Sequence, residues 1–370
     1  MTLSIFHQEP SYLIEQDYYH ILEQCYLANC SDITLQTGAR VIANKDGLAM
    51  SLTKRTLTYN EVENVANLLY GSNAVAKVLS GSDLDFSYTL LMKQRQRVRF
   101  RVNITACHSA NASGLQLSLR ILPACPPPLN KLSVTDDLYD LSLVHDGIVI
   151  VCGATGSGKS TLLSSMLQHR LSRNLYGEKL ITMESPIEYL YFVDEEMPVP
   201  ASVSQSELPR QLPNYAYAVR NAMRRTPTAI MVGESRDQDT FSAVIEAALT
   251  GHAVYTTLHS KSVAEAFQRG LMLFPKEHQR TIKYDLLCTL KAIIWQNLIP
   301  SQKGGRVALR EYLLFSDDKV KTLLETPEHQ FAQVINEMMR QDKTNIDEHL
   351  KQLYQQDHLL SPNLSKHSIH

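Results

Sequence analysis

The residues most able to do chemistry in this chain are the run Gly153-Ala154-Thr155-Gly156-Ser157-Gly158-Lys159-Ser160. Its glycines let a backbone turn its N–H groups inward, its lysine supplies a positive charge, and its last residue supplies a hydroxyl. The spacing fits G-x-x-x-x-G-K-[ST], a cradle for phosphate groups. The flanks agree with that reading. Ile148-Val-Ile-Val-Cys152 predicts a buried strand, and Thr161-Leu-Leu-Ser-Ser-Met-Leu167 carries apolar residues at 162, 163, 166 and 167, a helical spacing. A helix that starts at the loop adds its partial positive charge to the N–H groups. Lys159 is expected to reach the β- and γ-phosphates of a nucleotide, and the Ser160 hydroxyl to ligate Mg²⁺.

Further polar groups are expected on the same rim. Glu184 follows the β-rich run Lys179–Met183, Glu234 follows Ile230-Met-Val-Gly233, and His259 follows Val254–Leu258. In an open parallel sheet, ligands sit at the carboxyl ends of strands. One glutamate there can hold the Mg²⁺ hydration shell and the other can orient or deprotonate an attacking water. A histidine can sense the γ-phosphate by donating a hydrogen bond. Arg95, Arg97, Arg99 and Arg101 alternate along another strand, which places four guanidiniums on one face. The pattern suits a solvated face as well as a phosphate contact.

These groups need elements to hold them. A proline cluster, Pro123-Ala-Cys-Pro-Pro-Pro128, marks the clearest boundary and predicts a stiff, extended connector. Before it, helices are expected over Asp17–Cys30 and Asn60–Leu69, the second capped by Asn60. Strands are expected at Ser31–Gln36, Leu84–Tyr88, Val98–Val102 and Leu115–Leu122. After it, short strands alternate with helices near 210–225, 239–250 and 262–273, the pattern of a parallel sheet flanked by helices. A helix over Gln279–Gln296, a short strand near Arg306–Leu314 and helical structure over 327–356 follow. The organisation expected is an α+β domain over 1–122, a linker over 123–134, an α/β nucleotide domain over 135–357 and a flexible tail over 358–370.

Composition narrows the class. The chain of 370 residues has room for about two domains. A net charge of −2 and a single tryptophan argue against direct binding of nucleic acid. The six cysteines lie at 25, 30, 107, 125, 152 and 288 without a C-x-x-C pair, as expected of free thiols in a reducing compartment. No apolar stretch approaches ~20 residues, and the first residues lack the pattern of a secretory signal. Any work at a membrane is therefore expected to go through a partner.

In order along the chain, Ser31-Asp-Ile-Thr-Leu35, Asp85-Phe-Ser-Tyr88, Arg99-Phe-Arg-Val-Asn103, Gly153–Ser160, Met183-Glu-Ser-Pro-Ile-Glu188, Met223–Asp237 and Thr250–His259 match the motifs of one family. The chain resembles the PilT/GspE-like secretion ATPases over nearly its full length. The resemblance implies a RecA-like P-loop NTPase domain behind a smaller, PAS-like α+β domain, with ATP and Mg²⁺ as ligands. It implies that Glu184 is the catalytic carboxylate, that Glu234 lies near the metal, that His252 and His259 form a pair at the nucleotide, and that Arg236 and Asp237 are the Arg-Asp after Walker B. Gly153 to Ser160, with Thr161, would hold the phosphates, and Arg99 and Arg101 would reach toward the nucleotide, Arg97 less so. A homohexamer is implied, bound peripherally beneath the bacterial inner membrane to a complex that includes another cytoplasmic ATPase.

Three departures mark a branch. Ser185 stands where the family has aspartate, Thr226-Pro-Thr228 replaces D-P-D, and Gln205-Ser-Glu207 replaces Q-R-E. The E-S-P-I-E variant and Arg224-Arg-Thr-Pro227 resemble the DotB branch and the TraJ proteins of IncI-type conjugative plasmids, which serve type IVB secretion and conjugation. The alternative is a type IV pilus retraction motor, whose A-I-R-N-L-I-R-E signature the stretch Val320–Glu325 lacks. A docking component that binds ATP but turns over little, and a nucleic-acid translocase, are weaker readings.

Overall fold

The computed structural model describes residues 5–92, 96–109, 112–174, 177–193 and 199–359. Arg95 and the tail from 360 onward lie outside the described residues. The chain divides into two compact units. One is the chain up to Cys125 with Ser185–Leu190, and the other is Pro126–Glu184 with the chain from Tyr191 onward.

The first unit contains α1 (Glu15–Leu27), β1 (Asp32–Gln36), β2 (Ile42–Lys45), β3 (Leu48–Ser51), α2 (Tyr59–Tyr70), α3 (Ala74–Leu79), β4 (Leu84–Leu91), β5 (Arg97–Ser109) and β6 (Ala112–Leu122). Its strands form one antiparallel sheet in the order β3-β2-β1-β6-β5-β4. Helix α1 buries Tyr18, Ile21, Leu22 and Cys25, one stripe at helical spacing. It begins before Asp17 because that carboxylate turns back to accept the Ile14 N–H at 2.9 Å. Helix α2 is capped by Thr58, not by Asn60: Thr58 and Glu61 exchange side-chain-to-backbone hydrogen bonds in a capping box.

The second unit opens with a 3-10 turn, Leu129–Leu132, whose Leu129 is buried in this unit's own core. Leu129, just past the last proline, is thus anchored within the span 123–134 that the sequence assigns to a linker. Then follow α4 (Asp136–Leu141), β7 (Gly147–Cys152), α5 (Lys159–Arg173), β8 (Lys179–Glu184), β9 (Ser202–Glu207), α6 (Tyr215–Met223), β10 (Ala229–Val232), α7 (Gln238–Leu249), β11 (Ala253–Leu258), α8 (Val263–Met272), α9 (Lys276–Thr289), β12 (Leu290–Pro300), β13 (Arg306–Leu314), α10 (Asp317–Glu325), α11 (Phe331–Gln341) and α12 (Ile346–Gln355). The sheet order is β13-β12-β7-β11-β10-β8-β9, parallel throughout except for β12 with β13. Strands β7, β10 and β11 are buried at every position, as strands covered by helices on both faces must be.

The expected helix over Gln279–Gln296 is corrected: it stops at Thr289 and the chain continues as β12 beside β7. Leu290-Lys-Ala-Ile-Ile-Trp is apolar enough for a buried element of either type, and only pairing with β7 decides it. Leu359 is buried, and the carbonyl of His358 accepts the Gln302 N–H at 3.1 Å. Among the described residues, no helix is long and apolar enough to cross a membrane.

Candidate functional site

Strand β7 delivers the chain to the glycine loop in the centre of the sheet. Gly153, Gly156 and Gly158 have φ of +149°, +76° and +82°, which side chains with a Cβ rarely adopt. A Cβ at Gly153 would also lie 2.2 Å from the Gln296 carbonyl oxygen and 2.7 Å from Ser157 Oγ. Glycine is what lets the loop lie against β12. Helix α5 starts at Lys159, so its N-terminal N–H groups open onto the loop, and Ser160 and Thr161 sit half-buried in its first turn. Ala154 and Thr155 are exposed at the loop's outer edge. Lys159 is buried, and its Nζ donates to the carbonyls of Ala154 at 2.8 Å and Gly153 at 3.0 Å.

The strand ends beside the loop are tied together. The Gly233 N–H donates to Met183 O at 2.8 Å, Thr257 Oγ1 donates to Gly233 O at 2.6 Å, and the Ser235 N–H donates to Thr257 O at 3.1 Å. Glu184 closes β8, buried, and its Oε1 accepts from Thr182 Oγ1 at 2.6 Å and from Gln205 Nε2 at 3.1 Å. Glu234 meets Arg236 Nη2 at 2.6 Å and His259 Nε2 at 3.1 Å. Burial and the nearby Lys159 ammonium hold His259 below the ordinary histidine range, although Glu234 pulls the other way. The imidazole is therefore neutral near pH 7 and donates its Nε2–H to the carboxylate. The hydrogen bond that Arg236 donates to Glu234 raises Arg236 further into its charged form. Asp237 acts locally by capping α7, where it accepts from Thr240 N at 2.8 Å and Thr240 Oγ1 at 2.9 Å.

One expected site member, His252, lies at the other end of its strand from the rim. His252 precedes β11 whereas His259 follows it, so a strand of about 20 Å separates them. His252 Nδ1 instead contacts Ala247 O at 3.1 Å and Thr250 Oγ1 at 3.2 Å, at the C-terminal end of α7. The sequence motif joins the two histidines only because a straight strand joins them. In the first unit, Arg99 is buried and donates to the carbonyls of Glu188 at 2.8 Å and Ile187 at 2.6 Å. Arg101 grips Asp85 with two hydrogen bonds, at 3.0 and 2.5 Å. The expected face of nucleotide-reaching guanidiniums is thus engaged with protein acceptors at 99 and 101, while Arg97 is exposed.

The sequence also missed a rim residue. Tyr215 begins α6, and a Cβ on Gly233 would lie 3.1 Å from its hydroxyl. Burial raises its pKa, and Glu234 and Glu184 raise it further, so it stays a protonated donor near both acids. Tyrosine in a helix gives no chemical pattern by which to find it. A cavity of about 210 Å³ adjoins the loop through Gly158, Thr161 and Leu162, with Gln296, Leu298 and Arg310 on its far wall.

The family model for the type II/IV secretion system protein matches residues 83–356. Among curated proteins, YggR of Escherichia coli is 32% identical over 275 residues, 74% of this chain and 80% of YggR. The type IV pilus retractation ATPase PilT of Pseudomonas aeruginosa is 31% identical over 284 residues, 77% of this chain and 78% of PilT. Among solved structures, the ATPase DotB of Legionella pneumophila matches with a TM-score of 0.88 and 39% identity, covering 97% of this chain and 96% of DotB. The pilus retraction motor PilT with bound ADP matches with a TM-score of 0.80 and 28% identity, covering 94% of this chain and 97% of that one.

Proposed function

The chain belongs to the type II/IV secretion system protein family and is a P-loop ATPase, and from that premise we propose that it hydrolyses ATP to power a type IVB secretion or conjugative transfer apparatus. The greater likeness to the DotB structure of Legionella pneumophila than to the PilT structure favours this over a pilus retraction motor. The observation that carries the reading is His259 Nε2 at 3.1 Å from Glu234, on the rim where the glycine loop after β7 presents Lys159.

In this mechanism the N–H groups of Gly153 to Ser160, with Thr161, bind phosphate oxygens, and Lys159 exchanges its loop carbonyls for the β- and γ-phosphates. The Ser160 hydroxyl and the Glu234 carboxylate are hard oxygen donors and suit Mg²⁺, largely through its waters. When bound, the ion neutralises charge that develops on the phosphates. Glu184, held by Thr182 and Gln205, orients the attacking water and accepts its proton. His259 keeps its proton and donates it in a hydrogen bond, first to Glu234 and then to a γ-phosphate oxygen.

The working form is a homohexamer in the bacterial cytoplasm, peripheral to the inner membrane and attached through a complex that includes a second cytoplasmic ATPase. It does not bind nucleic acid itself. The test is Glu234→Gln, assayed for phosphate release and used as bait from source cells. Lost turnover and recovery of a type IVB or conjugation ATPase complex support the proposal. Unchanged turnover rejects the site, and recovery of pilus platform and pilin components makes the protein a retraction motor.

A further inference from the structure

We infer that Gln296 and Arg310 are positioning residues of the phosphate loop: Arg310 fixes the direction of the Gln296 amide, and the amide turns the Ser157–Gly158 peptide so that its N–H faces the phosphate site. This rests on the reading that the loop binds ATP.

Arg310 lies on β13 with 3% of its surface exposed, and among the described residues it forms no ion pair. Burial alone pushes it down to about 10. A guanidinium enclosed without a carboxylate is costly to keep, so its hydrogen bonds must answer a specific need. Nε donates to Gln296 Oε1 at 2.7 Å and Nη1 donates to Ser133 O at 3.0 Å. A guanidinium only donates. It therefore accepts one orientation of a neighbouring amide, the oxygen toward itself and the NH₂ away. Gln296, 2% exposed, has nowhere else to turn. Its Nε2 donates to Ser157 O at 2.8 Å.

In a trans peptide the C=O and the following N–H point in opposite directions. Holding the Ser157 carbonyl against β12 therefore aims the Gly158 N–H away from β12, into the concavity of the loop. Gly153 and Gly158 make this close seating possible, since a Cβ at either would collide with Gln296, at 2.2 Å from its O and 2.9 Å from its Nε2. Neither Gln296 nor Arg310 need touch substrate. If Arg310 lost its donor, the amide could reverse, set Oε1 against Ser157 O, and release the peptide to rotate.

The experiment compares wild type with Gln296→Glu, Arg310→Met and Arg310→Lys. It reads binding of a fluorescent ATP analogue, KM and kcat for ATP, and the melting temperature without nucleotide. Gln296→Glu gives Arg310 a carboxylate partner, so folding is retained, but it leaves no donor for Ser157 O. Affinity for the analogue is expected to fall about tenfold or more, the scale of one lost hydrogen bond, with KM rising in step and kcat changing less. Arg310→Met should show the same KM rise, and Arg310→Lys, which keeps a donor, should recover part of it. Should Gln296→Glu not fold, Gln296→Met takes its place. Wild-type affinity and KM in the folded Gln296 variant overturn the inference, as does equal loss in Arg310→Lys and Arg310→Met. A wild-type protein that fails to bind the analogue overturns the ATP reading itself and not this relay alone.

Discussion

Glu61 in the first unit and Glu234 in the second are both held by cations, yet they are built for opposite ends. Glu61 is fully buried and accepts five hydrogen bonds, from Leu13 N, Thr58 N, Thr58 Oγ1, and Nη1 and Nη2 of Arg55. Burial would raise its pKa, but Arg55, Thr58 and Leu13 outweigh burial and hold it at about 2. Glu234 keeps 14% of its side chain exposed and meets Arg236 and the neutral His259. A carboxylate whose lone pairs are filled by protein donors is a structural pin. One with open lone pairs on a strand rim can exchange partners with water or a metal ion.

The largest effect should come from the rim. Glu184→Gln is expected to lower kcat by about 10²- to 10⁴-fold, the usual worth of a general base, with the melting temperature little changed. Glu61→Gln should do the reverse. Loss of one member of a buried pair should cost about 3–5 kcal/mol in urea unfolding, while protein that remains folded keeps its KM for ATP. A Glu61→Gln protein as stable as wild type would break the comparison. Tyr215→Phe tests the rim more finely: kcat should fall about tenfold, the scale of one hydrogen bond to a charged group, with KM for ATP nearly constant.

Acid should separate the units by pH window. His349, whose Nδ1 accepts the Arg310 N–H at 2.8 Å, is lowered to about 4 by burial and then by Arg310. The unfolded chain, near pH 6.5, takes the proton first. The stability due to neutral His349 is therefore full above about pH 6.5 and is lost as pH falls toward 4. Glu61, at about 2 when folded, gives stability that is lost only as pH falls below its unfolded value of about 4.3. His349→Gln should flatten the melting curve between the first two limits and leave the lower window unchanged.

The phosphate loop, Glu184, Glu234 and His259 were legible in the sequence because each is a polar group at the end of a short apolar run. Strand order in a parallel sheet then brings such ends to one rim. His252 shows the limit of the same logic: a motif read along the chain does not say that its two histidines lie at opposite ends of one strand. Arg99 and Arg101 showed their period but not their acceptors, which include main-chain carbonyls nearly ninety residues away in sequence. Strand β9, Ser202-Val-Ser-Gln-Ser-Glu207, has almost no apolar pattern and was invisible until β8 paired with it.

By itself the sequence determined the local chemistry of this protein: a glycine-rich turn between a buried strand and a helix, and the acids and histidine that close the neighbouring strands. Those features depend on residues close in the chain, where periodicity and spacing act. The tertiary structure alone decided that Leu290–Pro300 is a strand, that Gln296 forms the wall behind the loop, and that Arg310 and Tyr215 stand near the chemistry. Such assignments arise from pairing between distant segments, where burial and directional hydrogen bonds select one arrangement among several that the local pattern permits.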